Sequence, residues 1–122
     1  MNLKHGLWIL IIMFILVAFA SDTTPQSTPT TPKTMYIDIK LFGFKPESLE
    51  VPVGTKVIWT NRDAIEHSVT QGTPEKPGGA FDSGFFTQDQ TFSFTFTNVG
   101  DYTYFCKRHN FMHGEIKVVP TP

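Results

Sequence analysis

Four residues of this chain carry side chains that could together bind one metal ion. Cys106, His109 and Met112 lie within seven positions of one another, inside the stretch Tyr104–Gly114, and offer a thiolate, an imidazole and a thioether. These donor atoms suit a copper ion that cycles between Cu(I) and Cu(II). A blue-copper site needs a second imidazole, because two His and one Cys form its plane below a weak axial Met. His67 is the candidate for that imidazole, so the pattern predicts one copper ion bound by these four residues.

The composition limits the classes of protein to consider. A length of 122 residues is enough for one domain. The formal net charge of −1, without a run of Lys or Arg, gives no reason to expect a nucleic-acid partner. The 12 Phe suit a β-rich core, because aromatic side chains pack well on a pleated surface. The single Cys excludes an internal disulfide, which leaves a free thiol, an intermolecular bridge or a metal ligand.

The beginning of the chain has the features of a targeting segment. Residues 1–20 contain Lys4, then the apolar run Leu7–Ala20, and they end on small residues that predict cleavage before Ser21. A helix over the apolar run would span about 21 Å, less than the ~30 Å hydrocarbon core, which favours a cleaved signal peptide over a retained anchor. Residues 21–34 are rich in Thr, Ser and Pro and predict a flexible linker or simply a ragged mature N-terminus.

Alternating hydrophobic residues predict short strands through the rest of the chain. Met35–Phe42 and Thr91–Thr97 alternate clearly, and Tyr102–Cys106 would place Cys106 at the end of a strand. Further strands are predicted at 49–51, 56–60, 67–71 and 115–119. The Gly- and Pro-rich segment Gly72–Gly79 is predicted to be a surface loop, and Phe81–Phe86 stays ambiguous. Strands at intervals of roughly 8–12 residues, without a helical pattern, indicate an antiparallel sandwich or barrel.

We expect residues 35–120 to form the folded domain, and residues 35–119 resemble the cupredoxin family, and within it the amicyanin/plastocyanin group. The resemblance is carried by Val53-Gly-Thr-Lys-Val57, Trp59-Thr-Asn-Arg-Asp-Ala-Ile-Glu-His67, Thr95-Phe-Thr97, Gly100-Asp-Tyr102 and Tyr104-x-Cys106-x-x-His109-x-Phe111-Met112-x-Gly114. The two-residue gap between His109 and Met112 is similar to that of amicyanins. The resemblance implies an all-β, antiparallel Greek-key β-sandwich that holds a single type 1 copper ion.

The same resemblance implies a role for each residue of the site. His67, Cys106 and His109 would be the in-plane ligands, and Met112 the axial ligand. Asn61 would tie the loop that carries His67 to the segment that carries Cys106, and contacts of this kind orient metal ligands.

The function implied is that of a one-electron carrier and not an enzyme. Transient redox partner proteins would dock where the ring edge of His109 and the side chain of Phe111 reach the surface. The carrier is expected to be a monomer that works outside the cytoplasm, in the periplasm or another extracytoplasmic space. It would meet the membrane only if residues 1–20 were retained.

The chain departs from the family pattern directly before the second histidine, where Arg108 replaces the usual Pro. Unlike Pro, Arg108 has a backbone N–H, which we predict donates a hydrogen bond to the sulfur of Cys106 and raises the reduction potential. The basic pair formed by Lys107 and Arg108 would either steer an acidic partner to the site or remain two solvated charges on a loop.

Three other interpretations of these residues are open to test. A copper delivery or storage protein is the main alternative, although the exchangeable Cys-x-x-Cys or Met-rich segments typical of such carriers are absent. A hydrolase could use Cys106 with His109, but the sequence shows no third residue to orient the pair. Structural zinc is disfavoured because a thioether is not among its usual ligands.

Overall fold

The computed structural model describes residues 15–25 and 31–122. The predicted signal peptide and linker therefore lie partly outside the described residues. Residues 15–25 are exposed and contain no helix or strand. Within the described ranges, no helix is both long and apolar enough to cross a membrane.

Residues 31–122 belong to one compact unit that contains nine strands and no helix. The strands are β1 (Thr34–Lys40), β2 (Gly43–Lys45), β3 (Ser48–Pro52), β4 (Lys56–Asn61), β5 (Thr70–Gly72), β6 (Pro77–Asp82), β7 (Thr91–Thr95), β8 (Gly100–Phe105) and β9 (His113–Val119).

The strands form two sheets, in the orders β2-β1-β4-β7 and β3-β9-β8-β5-β6, which confirms the predicted all-β sandwich. The sheets are mixed rather than purely antiparallel, because β1 pairs with β4 and β3 pairs with β9 in parallel. Between β1 and β4 the chain passes through β3 in the other sheet, so β4 returns beside β1 in the same direction. Hydrophobic alternation reports which face of a strand is buried, and it carries no information on the direction of the neighbouring strand.

Aromatic side chains fill the space between the sheets. Trp59 of β4 is fully buried, and its ring centroid lies 5.5–5.9 Å from those of Phe81, Phe92 and Tyr104. Tyr104 belongs to β8 and packs against Trp59 edge to face, a favoured arrangement for aromatic pairs. The strand that ends just before Cys106 is therefore anchored in the core through its own side chains.

The predicted loop Gly72–Gly79 is partly wrong, because strand β6 begins at Pro77. Gly78 and Gly79 have φ values of 108° and 129°, a backbone conformation that glycine accepts readily, and the pairing of β5 with β6 shifts register. Irregular edge strands of this kind look like loops in sequence. The ambiguous Phe81–Phe86 segment divides, with Phe81 at the end of β6 and Phe86 in an isolated bridge to His67.

Candidate metal centre

The loop between β8 and β9, residues 106–112, leaves and re-enters the five-stranded sheet at the same end of its strands. Its neighbours Phe105 and His113 are paired across the two strands. Inside the loop, the Cys106 amide donates to the Met112 carbonyl at 3.1 Å, and the Met112 amide donates to the His109 carbonyl at 2.8 Å. These bonds hold three predicted ligand residues in one tight turn at the end of the five-stranded sheet.

His67 reaches the same place from a distant part of the chain. Its backbone pairs with Phe86, with N–H···O distances of 3.3 and 3.0 Å, and the residue is fully buried. The ring nitrogen Nδ1 of His67 lies 3.7 Å from Sγ of Cys106, and Nδ1 of His109 lies 3.7 Å from the same sulfur. The ligand atoms of these three residues all lie within 4.8 Å of one another.

The two nitrogen–sulfur distances of 3.7 Å fit a metal ion shared by the three residues. Nitrogen and sulfur ligands about 2.0–2.3 Å from a shared ion stand about 3.5–4 Å apart when three of them surround it in a plane. Two imidazoles and one thiolate are a donor set that suits copper. Met112 is buried in the same loop, with 2% of its surface exposed. Desolvation lowers the pKa of His109, and Coulombic effects of His67 and Arg108 act in the same direction against an opposing effect of Asp63, so the ring loses its proton more easily than a free imidazole and can bind a metal.

Asp63 holds the far side of the His67 ring, a contact that sequence reasoning missed. Oδ2 of Asp63 lies 2.8 Å from Nε2 of His67, and the carboxylate also accepts hydrogen bonds from the amides of Leu41 and Phe42. Partial burial raises the pKa of Asp63, but the hydrogen bonds from Phe42, His67 and Leu41 outweigh it and hold this pKa below the ordinary 3.8. A charged carboxylate at Nε2 favours the tautomer that leaves Nδ1 free to bind a metal.

The sulfur of Cys106 receives its backbone hydrogen bond from Ser68, at an N···S distance of 3.4 Å. Ser68 directly follows His67, so the approach of His67 to Cys106 brings this amide with it. Among the hydrogen bonds of the described residues there is none from the Arg108 amide to this sulfur. The predicted donor is therefore corrected from Arg108 to Ser68.

Asn61 does not make the predicted link to the Cys106 segment. Its side-chain amide donates to the carbonyls of Ile65 and Phe86 at 2.8 and 3.0 Å, and its oxygen accepts the Asp63 amide at 2.9 Å. Asn61 therefore shapes the loop that carries His67 and fastens it to Phe86. The link to the Cys106 segment comes from Ser68, whose hydroxyl accepts the Lys107 amide at 2.9 Å.

Both basic residues of the metal loop are paired with acidic side chains. Arg108 Nη1 lies 3.2 Å from Glu66 Oε2, and the ammonium of Lys107 contacts the carboxylate of Asp82. Neither cation is a free charge beside the site, which the sequence alone could not reveal because the acidic partners lie 42 and 25 positions away.

Apolar rings surround His109 where it reaches the surface. The ring centroids of Phe42 and Phe111 lie 5.1 and 6.0 Å from that of His109, and Phe85 is also exposed near Arg108. The exposed fractions are 44% for Phe42, 52% for Phe85 and 68% for Phe111. Sequence reasoning identified Phe111 alone. His113 is exposed, and its Nε2 lies 3.4 Å from Oε1 of Glu47.

Comparisons with known proteins agree with this geometry. Residues 33–119 match the family described as copper binding proteins of the plastocyanin/azurin type. The chain is 34% identical over 82 residues to an amicyanin of Paracoccus denitrificans, an alignment that covers 67% of this chain and 63% of that one, just under two thirds. It is 29% identical over 102 residues to an amicyanin of Paracoccus versutus, covering 84% and 77% of the two chains.

Two solved structures show the same fold. A purple cupredoxin from Nitrosopumilus maritimus has a TM-score of 0.64 and 29% identity, with coverage of 70% of this chain and 99% of that one. The Cu(I) form of an amicyanin with one methionine replaced by alanine has a TM-score of 0.64 and 31% identity, with coverage of 75% and 87%. The matched region contains all four residues predicted from their donor atoms, and the chain belongs to the plastocyanin/azurin family of copper binding proteins.

Proposed function

We propose that this protein is a one-electron carrier with a single copper site and no catalytic activity of its own. His67 and His109 would hold the ion through imidazole nitrogens and Cys106 through its thiolate, and Met112 would supply a thioether. The observation that supports this most directly is the approach of two Nδ1 atoms to one sulfur, each at 3.7 Å, in a site where Cys106 and His67 are fully buried. Bound copper would supply the redox couple.

The surroundings suit rapid electron exchange. Asp63, Ser68 and Asn61 fix the ligand-bearing segments through hydrogen bonds, so the ligands have little freedom to move between redox states. His109 is only half-buried, which gives the electron a short route to the surface.

The partners would be redox proteins that dock briefly on an apolar surface. Phe42 and Phe111 lie exposed beside His109, with Phe85 exposed beside the neighbouring Arg108, and an apolar rim of this kind suits weak, short-lived complexes. We propose that the carrier acts as a monomer and that no nucleic acid takes part.

The spectrum of the Cu(II) form tests this function. An electron carrier should show an intense visible thiolate-to-copper band and a reversible one-electron potential, and Cys106→Ser should abolish the band. Met112→Gln should keep the band while changing the potential. A colourless Cu(II) form, or copper that small chelators remove rapidly, would instead indicate a delivery or storage protein.

We also propose that the protein is exported. Residues 1–20 would act as a signal peptide cleaved before Ser21, residues 21–34 as a flexible linker, and residues 35–120 as the cupredoxin domain. The intact mass of the protein recovered from the extracytoplasmic fraction tests the cleavage site. Retention of the first 20 residues in a membrane fraction would identify a tethered carrier.

A further inference from the structure

Lys107, the residue after Cys106, is connected to a distant carboxylate by a chain of hydrogen bonds. Its backbone N–H donates to Oγ of Ser68 at 2.9 Å, Oγ of Ser68 lies 3.0 Å from Oγ1 of Thr70, and Thr70 donates to Oδ1 of Asp82 at 3.1 Å. Ser68 and Thr70 are fully buried, so bulk solvent does not compete for their hydroxyl groups. This chain of hydrogen bonds runs from the metal loop through β5 to the end of β6.

The chemistry of these groups allows only one order of donors and acceptors along the hydrogen bonds. An ionised carboxylate accepts hydrogen bonds and cannot donate them, so Thr70 gives its single hydroxyl proton to Asp82. Oγ1 of Thr70 must then accept the proton of Ser68, which in turn leaves Oγ of Ser68 as an acceptor for the Lys107 amide. Each hydroxyl therefore uses its one donor and at least one acceptor, and the charge of Asp82 sets the orientation of both.

Asp82 also contacts Lys107 at the other end of that residue. Its second oxygen, Oδ2, forms the ion pair with the Lys107 ammonium, and Oδ1 accepts the Gly84 amide at 3.0 Å. Ser68, in the middle of the chain, donates its own amide to Sγ of Cys106. One residue thus touches both the sulfur of the metal centre and the peptide that follows it.

We propose that Asp82 is a positioning residue for the metal centre, which acts through Thr70 and Ser68 to orient the Lys107 peptide and the N–H···S contact on Cys106. Among the hydrogen bonds of the described residues, none joins Asp82 to a candidate ligand, so its effect reaches them through this chain and through its ion pair with Lys107. The inference rests on the proposed copper site for its redox consequence. A hydrogen bond to a thiolate withdraws charge from the sulfur and favours the reduced ion, so a loosened Ser68 should lower the reduction potential.

Thr70→Val tests the chain without changing any charge, because valine keeps the shape of threonine and removes the hydroxyl. We expect the Lys107 amide to exchange with solvent about five-fold faster or more, as for the loss of one hydrogen bond, while the Tyr102 amide in β8 keeps its protection. The copper-loaded variant should have a lower potential. Thr70→Ser, which restores the hydroxyl, should return both values toward those of the wild type.

Asp82→Asn provides a second test at a site that is partly exposed and so tolerates substitution. It should speed exchange at Lys107, whereas Asp101→Asn, the same charge change in β8, should leave that exchange rate unchanged. Lys107→Gln removes only the ion pair and should retain the amide protection.

The proposal is overturned if folded Thr70→Val keeps the wild-type exchange rate at Lys107, or if its potential and visible spectrum match those of the wild type. Amide exchange in the metal-free protein reports on the hydrogen bonds from Asp82 to Lys107 even if the copper site itself is refuted. The role of Asp82 and the proposed copper function can therefore fail separately.

Discussion

Glu66 and Arg108, the residues directly before the two histidines of the metal centre, form an ion pair across the site, with Nη1 3.2 Å from Oε2. Half of the Arg108 side chain and 43% of the Glu66 side chain are exposed, so the pair contributes little to stability, about 0–1 kcal/mol. The main effect of the pair is electrostatic, because the Glu66 carboxylate offsets the positive charge of Arg108 beside the proposed docking surface.

Glu66→Gln should expose the charge of Arg108. We expect faster electron exchange with an anionic complex such as hexacyanoferrate, slower exchange with a cationic cobalt complex, and a steeper dependence of both rates on ionic strength. Stopped-flow kinetics at several salt concentrations measure this. Glu50→Gln, the same charge change on β3, is the control and should have a much smaller effect. Equal changes in the two variants would contradict a local role for the pair.

Asp63→Asn should weaken copper binding. The substitution removes the charge that favours the Nε2-protonated tautomer of His67, and partners of metal-bound histidines typically account for about 10- to 100-fold in affinity. Competition with a chelator of known affinity measures the change. Asp89→Asn, at an exposed carboxylate that pairs only weakly with Arg62, should bind copper as the wild type does.

Asp82→Asn should make the stability of the protein less dependent on pH. Partial burial raises the pKa of Asp82, but Lys107, the Gly84 amide and Thr70 lower it further, so it lies below the ordinary 3.8. Because this pKa is lower in the folded state, the stabilisation is present above about pH 4 and is lost as the pH falls through the folded-state pKa. Denaturant unfolding should therefore show a deficit in the variant at pH 6 that vanishes in acid. A deficit of the same size at every pH would disprove the ionic contribution.

Gly114→Ala should destabilise the fold by about 2 kcal/mol, as overpacked cores typically do. A Cβ at Gly114 would overlap Cζ and Oη of Tyr104, a side chain buried completely beneath it. Gly43→Ala is the matched control, because its Cβ would lie 3.3 Å from Nζ at the flexible end of Lys45 and at an ordinary contact distance of 3.8 Å from the Lys40 carbonyl oxygen. Chemical denaturation of both variants checks the difference, and similar unfolding midpoints would contradict this view of the core.

The sequence predicted the residues whose chemistry is specific and missed those whose role depends on contacts. The donor atoms of Cys106 and His109 and the alternation before Cys106 were enough to predict a metal loop after a strand. Thr70 and Asp82 are ordinary strand residues in sequence, and only the pairing of β5 with β6 brings them together. The sequence gives only a weak indication that Ser68 contacts the metal centre, which is that this small hydroxyl residue directly follows a candidate ligand.

The direction of strand pairing and the docking rim were unpredictable for a similar reason. Alternation in β1 defines its buried face, but its parallel partner β4 is set by the route of the chain through the other sheet. Phe42 reaches His109, and Phe85 reaches Arg108, from segments far away in sequence. Their exposure and their neighbours are properties of the folded chain alone.

The distance between His67 and Cys106 along the chain has a consequence for folding. They stand 39 positions apart, in a protein whose single Cys rules out an internal disulfide. An ion shared by the two would act as a reversible cross-link that closes this long loop, and closing a loop restricts the unfolded chain most when the loop is long. Metal loading would then govern how long the molecule survives heat and proteolysis, in addition to its capacity to carry charge.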